Sequence, residues 1–167
     1  MSETLDLFPP PPSSPAEGRV ISIHVSNGGV PKLEIPSARV TAAGVEGDRQ
    51  RNLKYHGGAD RALCLYSLEL IEALQREGHP ITRGSIGENV VIAGIDWRRM
   101  IPGARARLGP VEIELTSYAF PCRNIRGSFR NGRIGWVSPE AHPGWSRVYA
   151  RVTRAGQLSL GDAVVLP

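Results

Sequence analysis

Residues 105–117, with the sequence RARLGPVEIELTS, decide the class of fold. Polar and apolar residues alternate over residues 105–108 and again over residues 111–117, and this period of two is typical of half-buried β-strands. Gly109 and Pro110 separate the two segments, and such a pair is typical of a turn. The stretch therefore predicts two short strands joined by a tight connection.

Strand-like segments of the same kind occur along most of the chain. They are residues 19–25, a second segment that ends near Val40, and residues 61–66, 89–93, 148–154 and 163–166. The 19 glycines and 14 prolines indicate many turns and few long helices. Short strands separated by glycine turns predict a mainly β fold with minor α content, built as a barrel.

One helix is predicted between these strands. Ser67 is a suitable N-cap for a helix that runs through Glu77, and Gly78 is a suitable stop. The apolar side chains of this segment recur at helical spacing, at Leu70, Ile71 and Leu74. They predict that one face of the helix packs against the core.

The length of the chain indicates a single folded domain. The chain has 167 residues, which is close to the usual size of one domain. Residues 1–18 hold five of the 14 prolines, which cannot donate backbone hydrogen bonds and bring little apolar surface to bury. We therefore predict a flexible Pro-rich tail at residues 1–18 and one domain at residues 19–167.

The sequence also bears on the compartment. No apolar run approaches the roughly 20 residues that a membrane-spanning helix needs, and the N-terminus lacks a basic stretch followed by an apolar one. We therefore expect a cytoplasmic protein with no membrane partner. Cys64 and Cys122 are then expected to be reduced thiols, and the apolar neighbours of Cys64 predict that it belongs to the core.

Positive charge is concentrated in the second part of the chain. The net charge is +4, and residues 98–167 hold 11 arginines against four acidic residues. Arginine binds phosphate groups with a planar fork of donors, so an anionic ligand is one interpretation. A solvated basic surface and a nucleic-acid interface are the alternatives. Nucleic acid is disfavoured because aromatic residues make up only 6% of the chain and no known binding motif occurs.

Cys122 lies in the segment FPCRNIR, residues 120–126, where an alternating apolar stretch gives way to a basic one. Four arginines follow the cysteine within eleven positions, at Arg123, Arg126, Arg130 and Arg133. Because nearby cations stabilise a thiolate, the segment predicts a reactive cysteine in a loop. The alternative is a buried structural cysteine, since cysteine is among the residues most often buried.

Three glycine-bearing polar loops interrupt the predicted strands. They cover residues 44–49, 56–62 and 84–89, and each places an acidic or amide side chain beside flexible backbone. Glycine permits close approach of the backbone, so exposed N–H groups can surround an anion or the polar rim of a heterocycle. Plain turns have the same composition, so each loop taken singly is ambiguous.

In this order, and followed by Pro121 and Cys122, the loops resemble the MOSC domain family. This module is related to the C-terminal part of molybdenum cofactor sulfurases and to the amidoxime-reducing molybdenum proteins. The residues that carry the resemblance are Gly44, Gly47, Asp48, His56, Gly57, Gly58, Asp60, Arg61, Ala62, Gly87, Glu88, Asn89, Pro121, Cys122, Gly161 and Asp162. The resemblance implies a barrel-like β fold, similar to the β-barrel domain of pyruvate kinase, with one or a few short helices.

The resemblance also implies a cofactor. It would be the molybdenum cofactor, an anionic molybdopterin, with Cys122 as molybdenum ligand or as sulfur carrier. A thiolate suits both roles, because it is a soft metal ligand and accepts sulfur as a persulfide.

The other candidate residues come from the glycine loops and the basic segment. His56 and Asp60 join Cys122 as candidates for catalysis, because imidazole and carboxylate groups orient substrates and transfer protons. The candidates for cofactor contact are Arg61, Arg123, Asp48, Glu88, Asn89, Gly57 and Gly58. For Asp60, Arg61, Glu88 and Asn89, the alternative is a structural role within their loops.

Three functions remain open at the level of the sequence. The first is a small reductase of N-hydroxylated or N-oxygenated compounds that holds molybdenum through Cys122 and receives electrons from a separate donor. The second is a sulfur transferase or carrier that holds a persulfide on Cys122 for a metal–sulfur cofactor or partner. Because 167 residues leave no room for the pyridoxal-phosphate domain of the sulfurases, a separate cysteine desulfurase would load it. The third is a thiol redox sensor.

Overall fold

Short strands account for most of the regular structure. The computed structural model describes residues 16–49 and 58–167. Its strands are β1 (Ala16–Val25), β2 (Leu33–Ile35), β3 (Ser37–Thr41), β4 (Gly44–Val45), β5 (Leu63–Ser67), β6 (Val90–Ala93), β7 (Arg105–Leu108), β8 (Val111–Tyr118), β9 (Val148–Arg154), β10 (Gly156–Ser159) and β11 (Ala163–Leu166). The α-helix α1 spans Leu68–Arg76, and 3-10 turns span Ala59–Arg61, Trp97–Arg99, Arg123–Ser128, Arg130–Gly132 and Ile134–Val137.

Seven of the strands form a closed barrel. Their order is β11-β7-β8-β9-β5-β6-β1, and pairing between β1 and β11 closes the ring. Strand β2 extends the sheet beyond β1, while β10, β3 and β4 form a separate small sheet. The prediction of a mainly β, barrel-like fold with few helices is therefore confirmed.

The stretch at residues 105–117 forms two paired strands of the barrel, as its alternation predicts. Its inward side chains are all buried: Ala106, Leu108, Val111, Ile113 and Leu115. Arg107 and Glu112 alternate with them and occupy opposite positions in the register of β7 and β8. Gly109 has a φ of 53°, a backbone conformation that glycine adopts without strain. Burial of one face thus fixes the register of this hairpin.

Helix α1 forms as predicted and connects two neighbouring strands. The hydroxyl of Ser67 accepts a hydrogen bond from the N–H of Leu70 at 3.2 Å, which caps the first turn. Gly78 follows the helix with a φ of 91°, and Ile71 and Leu74 are buried. The helix lies between β5 and β6, which pair in parallel, and a parallel pair requires such a crossover.

The structure differs from the sequence-based boundaries at several points. Strand β1 begins at Ala16, because residues 16–19 pair with β11, so three residues of the predicted tail belong to the barrel. Strands β4 and β10 were not predicted, since two and four residues give little periodic signal. The proposed flexibility of residues 1–15 concerns a segment outside the described residues.

The segment after Cys122 holds three of the 3-10 turns and no strand before β9. It connects β8 to β9, which are neighbours in the barrel, by way of the surface. The fold therefore places the basic segment in the long connection beside β5 and β9.

In the described ranges, no helix has both the length and the apolar character needed to cross a membrane.

Candidate functional site

A cavity of about 360 Å³ borders β5 and β9 and the loops around them. Its lining includes residues from the segments 28–32, 86–89 and 122–125, together with side chains from both strands. Cavities that hold small molecules usually measure about 300–1,000 Å³. The cavity brings two of the three glycine-bearing loops to the segment that contains Cys122.

Cys122 lies at the edge of this cavity and is half-buried. It directly precedes the 3-10 turn Arg123–Ser128, and its carbonyl oxygen accepts a hydrogen bond from the N–H of Ile125 at 3.2 Å. Phe120, two residues earlier, is 58% exposed. The thiol is therefore on a surface loop, as predicted, while its thiolate form stays a prediction.

Cys64 lines the same cavity from β5 but is buried. It packs against Ala119 and Tyr149, and Tyr149 is its direct register partner on β9. Burial raises the pKa of the Cys64 thiol to about 11, because removal from water disfavours the charged form. Cys64 therefore remains a protonated thiol at neutral pH, and Cys122 is the more accessible of the two.

Lys32 and Asn89 line the cavity and Asp48 bonds to both from behind the lining; we call these three residues the paired side. The Nζ of Lys32 lies 2.6 Å from Oδ1 of Asp48, which also accepts a hydrogen bond from the N–H of Ser26 at 2.9 Å. The Nδ2 of Asn89 donates to Oδ2 of Asp48 at 2.9 Å. The Oδ1 of Asn89 accepts from the N–H of Cys64 at 3.0 Å. Each charged group on this side thus has a partner.

Arg147 also lines the cavity, and Glu88 is buried behind the lining; we call these two residues the unpaired side. Both side chains are buried. The Nη1 of Arg147 donates to the carbonyl oxygen of Ile86 at 2.7 Å, and Nη2 donates to that of Phe120 at 3.3 Å. Its Nε has no hydrogen-bond partner among the described residues, and neither carboxylate oxygen of Glu88 has one of good geometry.

Burial raises the pKa of Glu88 to about 7. Its own N–H, the charge of Arg147 and the N–H groups of Ile86 and Gly84 oppose this rise. The effect of desolvation exceeds theirs because the carboxyl group lies fully inside the protein. Glu88 therefore carries only part of a negative charge near neutral pH, and it forms no ion pair with Arg147 in the described structure.

Asp60 and Arg61, two further candidates, lie at the surface beside the barrel. The carboxylate of Asp60 accepts a hydrogen bond from Nε of Arg151 at 2.9 Å, and its carbonyl oxygen accepts one from the hydroxyl of Thr116. The guanidinium of Arg61 lies 5.6 Å from the ring centre of Tyr149. Arg61 thus contacts a residue that lines the cavity, whereas Asp60 is engaged on the outer surface.

The remaining candidates do not line the cavity or lie outside the described residues. Arg123 is exposed despite following Cys122 directly, and Gly58 is exposed with a φ of 91°. His56 and Gly57 lie outside the described residues. The structure therefore brings Cys122 and Asn89 to the cavity lining, with Asp48 and Glu88 directly behind it.

A model of the MOSC domain family matches residues 52–165, more than half of the chain. The chain belongs to the MOSC domain family. MOSC domains in general are associated with molybdenum-cofactor binding and sulfur chemistry. The resemblance found in the glycine loops is thus confirmed at the level of the family.

Two curated MOSC relatives show the extent of the similarity. The chain is 31% identical over 120 residues to YflK, an uncharacterised protein of Bacillus subtilis strain 168, in a match that covers 70% of this chain and 52% of YflK. It is 29% identical over 119 residues to the protein YiiM of Escherichia coli K12, covering 63% and 53%. The chain spans about half the length of the curated relatives it matches.

Solved structures share the fold of this MOSC domain. The YUAD protein of Bacillus subtilis superposes with a TM-score of 0.72 at 16% identity, covering 91% of this chain and 96% of that one. YiiM from Geobacillus stearothermophilus superposes with a TM-score of 0.68 at 23% identity, covering 90% and 75%. At these identities the superpositions show a common fold.

The donors around the cavity suit the molybdenum cofactor. Cys122 offers a soft sulfur ligand, and three cations border the same space: Lys32, Arg49 and Arg147. Among the described residues, no group of three or more His, Cys, Asp or Glu side chains is arranged to hold a bare metal ion. A single thiolate instead suits a metal that an organic cofactor also ligates.

The sequence-based candidates did not include Lys32, Arg147 and Tyr149, and the predicted loop at residues 44–49 contained Arg49 without Arg49 being chosen; all four line this cavity. Arg147 directly precedes the alternating strand β9, so its only local signal is a charged residue at a strand end. Lys32 and Arg49 lie in or beside predicted turns. The contrast with exposed Arg123 shows that distance along the chain from Cys122 is a poor guide to the cations of the site.

Proposed function

We propose that this MOSC protein is a small molybdenum-cofactor reductase of N-hydroxylated or N-oxygenated compounds, with Cys122 as the protein ligand of molybdenum. The observation that supports the proposal most is the position of the Cys122 thiol, which is half-buried at the edge of a cavity bordered by cations. The family association with the molybdenum cofactor gives that thiol a chemical partner.

Cys122 is better suited than Cys64 to ligate a metal. A metal ligand must be a thiolate, and burial raises the pKa of Cys64 to about 11. Metal binding at Cys64 would therefore require loss of a proton in an apolar cluster with Ala119 and Tyr149. Cys122 is half-buried in a loop, and a loop ligand can adjust its position more easily than a strand residue.

The cations of the cavity would neutralise an anionic pterin. Lys32 and Arg147 are buried, and Arg49 is exposed. Gly28, Gly29 and Gly87 border the same space, and glycine lets a ligand approach the backbone closely. These groups would hold the cofactor while Cys122 reaches the metal.

When bound, the cofactor would supply two-electron chemistry that converts an N-hydroxylated compound, with two electrons and two protons, into the amine and water. The chain would position the substrate beside Cys122 and limit the entry of bulk water by enclosing the cavity. Cys122 lies at its edge, and Phe120, two residues earlier in the chain, is exposed. A separate electron donor would therefore approach from this face.

The test is elemental analysis of three proteins purified without oxygen from a host that makes the cofactor. We expect near-stoichiometric molybdenum and pterin in the wild type, and loss of molybdenum in Cys122→Ser. Cys64→Ala is the matched control, because it removes the other thiol of the cavity and should retain molybdenum. Wild-type protein without molybdenum and pterin would contradict the proposal.

The second candidate function is a sulfur carrier or binding module that holds a persulfide on Cys122. The accessibility of this thiol at a surface loop favours it, because a carrier must meet both a donor desulfurase and an acceptor. Mass spectrometry of the same three proteins distinguishes the two functions. One additional sulfur on Cys122, absent from Cys122→Ser and without molybdenum in the wild type, would favour the carrier.

A further inference from the structure

Tyr149 lies on β9 in the wall of the cavity and is 8% exposed. Both neighbouring strands hold it there, because it is the register partner of Cys64 on β5 and of Ser117 on β8. Its side chain packs against Cys64 and Ala119, and the guanidinium of Arg61 lies 5.6 Å from the centre of its ring. A ring packed on several sides has little room to turn, so it keeps a defined place in the cavity wall.

The hydroxyl of Tyr149 is the part of this side chain that the fold leaves unused. Tyr66 shows the usual arrangement of a buried tyrosine, because its hydroxyl donates to the carbonyl oxygen of Trp145 at 2.6 Å. The hydroxyl of Tyr149 forms no hydrogen bond with any described residue. It also differs from Nε of Arg147, which is sealed inside the protein without a partner, whereas the hydroxyl is not sealed in this way. Because Tyr149 lines the cavity, its hydroxyl is open to a bound molecule.

Cys122 borders the same cavity as Tyr149. We infer that Tyr149 is a substrate-binding residue, whose hydroxyl donates a hydrogen bond to an oxygen of the molecule bound beside Cys122. The identity of that oxygen rests on the proposed function, under which it belongs to the N–O group of the substrate. The reduced product lacks this oxygen and cannot accept the bond, so the cavity would hold the substrate more tightly than the product.

The chemistry of the phenol suits an uncharged N–O compound. Burial raises the pKa of Tyr149 to about 12, so its hydroxyl keeps its proton and remains a donor at neutral pH. A neutral donor binds the partly negative oxygen of an N-oxide or a hydroxylamine without requiring a counter-charge. The other polar side chains of the lining include Lys32 and Asn89, which already bond to Asp48.

The experiment is a titration of the full chain, purified from a host that makes the cofactor, with pyridine N-oxide. This probe is small and uncharged, its oxygen is a hydrogen-bond acceptor, and no electron donor is added, so it is not reduced. The readout is the nuclear magnetic resonance signal of tyrosine labelled with carbon-13 at Cζ, the atom that carries the hydroxyl. The chain has four tyrosines, and Tyr149→Phe identifies the Tyr149 signal by its loss. Tyr118→Phe identifies an exposed tyrosine of β8 in the same way and is the matched control.

We expect the Tyr149 signal to move and saturate with the probe, while the signals of Tyr66 and Tyr118 change little. Calorimetry should show that the loss of one hydrogen bond weakens binding of the probe to Tyr149→Phe by about two- to tenfold, with wild-type affinity in Tyr118→Phe. Tyr149→Phe should fold normally, because it removes an oxygen that bonds to no described residue. An unmoved Tyr149 signal, or equal shifts at Tyr118 and Tyr149, would overturn the inference.

This titration and the molybdenum analysis can fail independently. A saturating shift in protein that contains no molybdenum would keep Tyr149 as an oxygen-binding residue and would contradict the reductase. Molybdenum in the protein together with an unmoved Tyr149 signal would support the metal site and reject the role of Tyr149. The shift itself is read from the wild type, so a change of stability in a variant cannot produce it.

Discussion

The two sides of the cavity bury comparable charges but treat them differently. On the paired side, Lys32 and Asp48 form an ion pair at 2.6 Å, and Asn89 supports the carboxylate. On the unpaired side, Arg147 and Glu88 are also buried, yet among the described residues Nε of the arginine has no partner and the glutamate oxygens have none of good hydrogen-bond geometry. The charged groups of the paired side satisfy one another's hydrogen bonds. Those of the unpaired side leave donors and acceptors unused.

This difference indicates which groups are available to a ligand. A buried group with all its hydrogen bonds made gains little from a bound molecule, because binding would have to replace contacts that already exist. A buried group without partners gains the full value of a new contact. We therefore assign structural support to the bonds among Lys32, Asp48 and Asn89, whereas Arg147 keeps one hydrogen-bond donor unused.

The largest expected effect is the loss of the acid on the paired side. Asp48→Ala leaves Lys32 buried without a counter-charge and removes acceptors from Ser26 and Asn89. Breaking a buried ion pair in this way costs about 3–5 kcal/mol. Urea unfolding, followed to a two-state midpoint, should show a fall in the free energy of unfolding of this size.

Asp60→Ala is the matched control for this prediction. Asp60 also pairs with an arginine, Arg151, but its side chain is 70% exposed, so its loss should cost less than about 1 kcal/mol. The double variant Lys32→Met/Asp48→Leu should be less destabilised than the sum of the two single changes, because the second change removes the orphaned charge. If the loss of stability in the double variant equals the sum of the two single losses, Lys32 and Asp48 do not stabilise each other.

The next effect concerns the pH dependence caused by Glu88. Its folded-state pKa of about 7 lies above the value of 4.5 for an unperturbed glutamate. The folded state therefore binds one more proton than the unfolded state between these values, and stability falls as the pH rises through this window. The charge of Arg147 lowers the pKa of Glu88, and the charge of Glu88 raises the pKa values of Cys64 and Tyr66.

Glu88→Gln should remove this slope, because glutamine resembles the protonated acid and does not titrate. Relative to the variant, the wild type should lose about 3 kcal/mol of stability between pH 4.5 and pH 7, and the difference should be constant above that. Denaturant midpoints measured at several pH values give the comparison. Glu72→Gln, at an exposed position of α1, is the control and should retain the wild-type pH dependence of stability. If the stability of Glu88→Gln also varies with pH as that of the wild type does, the prediction is refuted.

The contrast between the two sides also explains what the sequence could and could not predict. The hairpin at residues 105–117, helix α1 and strand β9 follow from local periodicity and caps, so they were predictable to within one or two residues. The glycine loops were recognisable as family-specific segments because their order resembles that of a family. All of these predictions depend on residues that are close together in the sequence.

The partners of buried charges carry no such signal. Lys32 meets Asp48 across 16 positions of sequence, and Asn89 meets Asp48 across 41. Arg123 follows Cys122 but is exposed and does not line the cavity, whereas Arg147 reaches the cavity only because β9 pairs with β5 and β8. Closure of the barrel decides these contacts, and closure is a long-range property.

The smallest expected effect on stability is that of Arg147→Met, and setting it beside Lys32→Met tests the comparison of the two sides most directly. Lys32→Met and Arg147→Met replace a buried cation of the same cavity by the same apolar side chain. Lys32→Met strands the carboxylate of Asp48 and should cost about 3–5 kcal/mol. Arg147→Met removes a charge that has no ion pair, and this gain offsets the lost bonds to Ile86 and Phe120, so stability should change by less than about 1 kcal/mol.

The measurement is the urea midpoint of both variants beside that of the wild type. A large fall for Lys32→Met, with a midpoint near that of the wild type for Arg147→Met, is the expected result. Equal costs for the two substitutions would mean that Arg147 is as firmly integrated as Lys32, through its bonds to the carbonyl oxygens of Ile86 and Phe120.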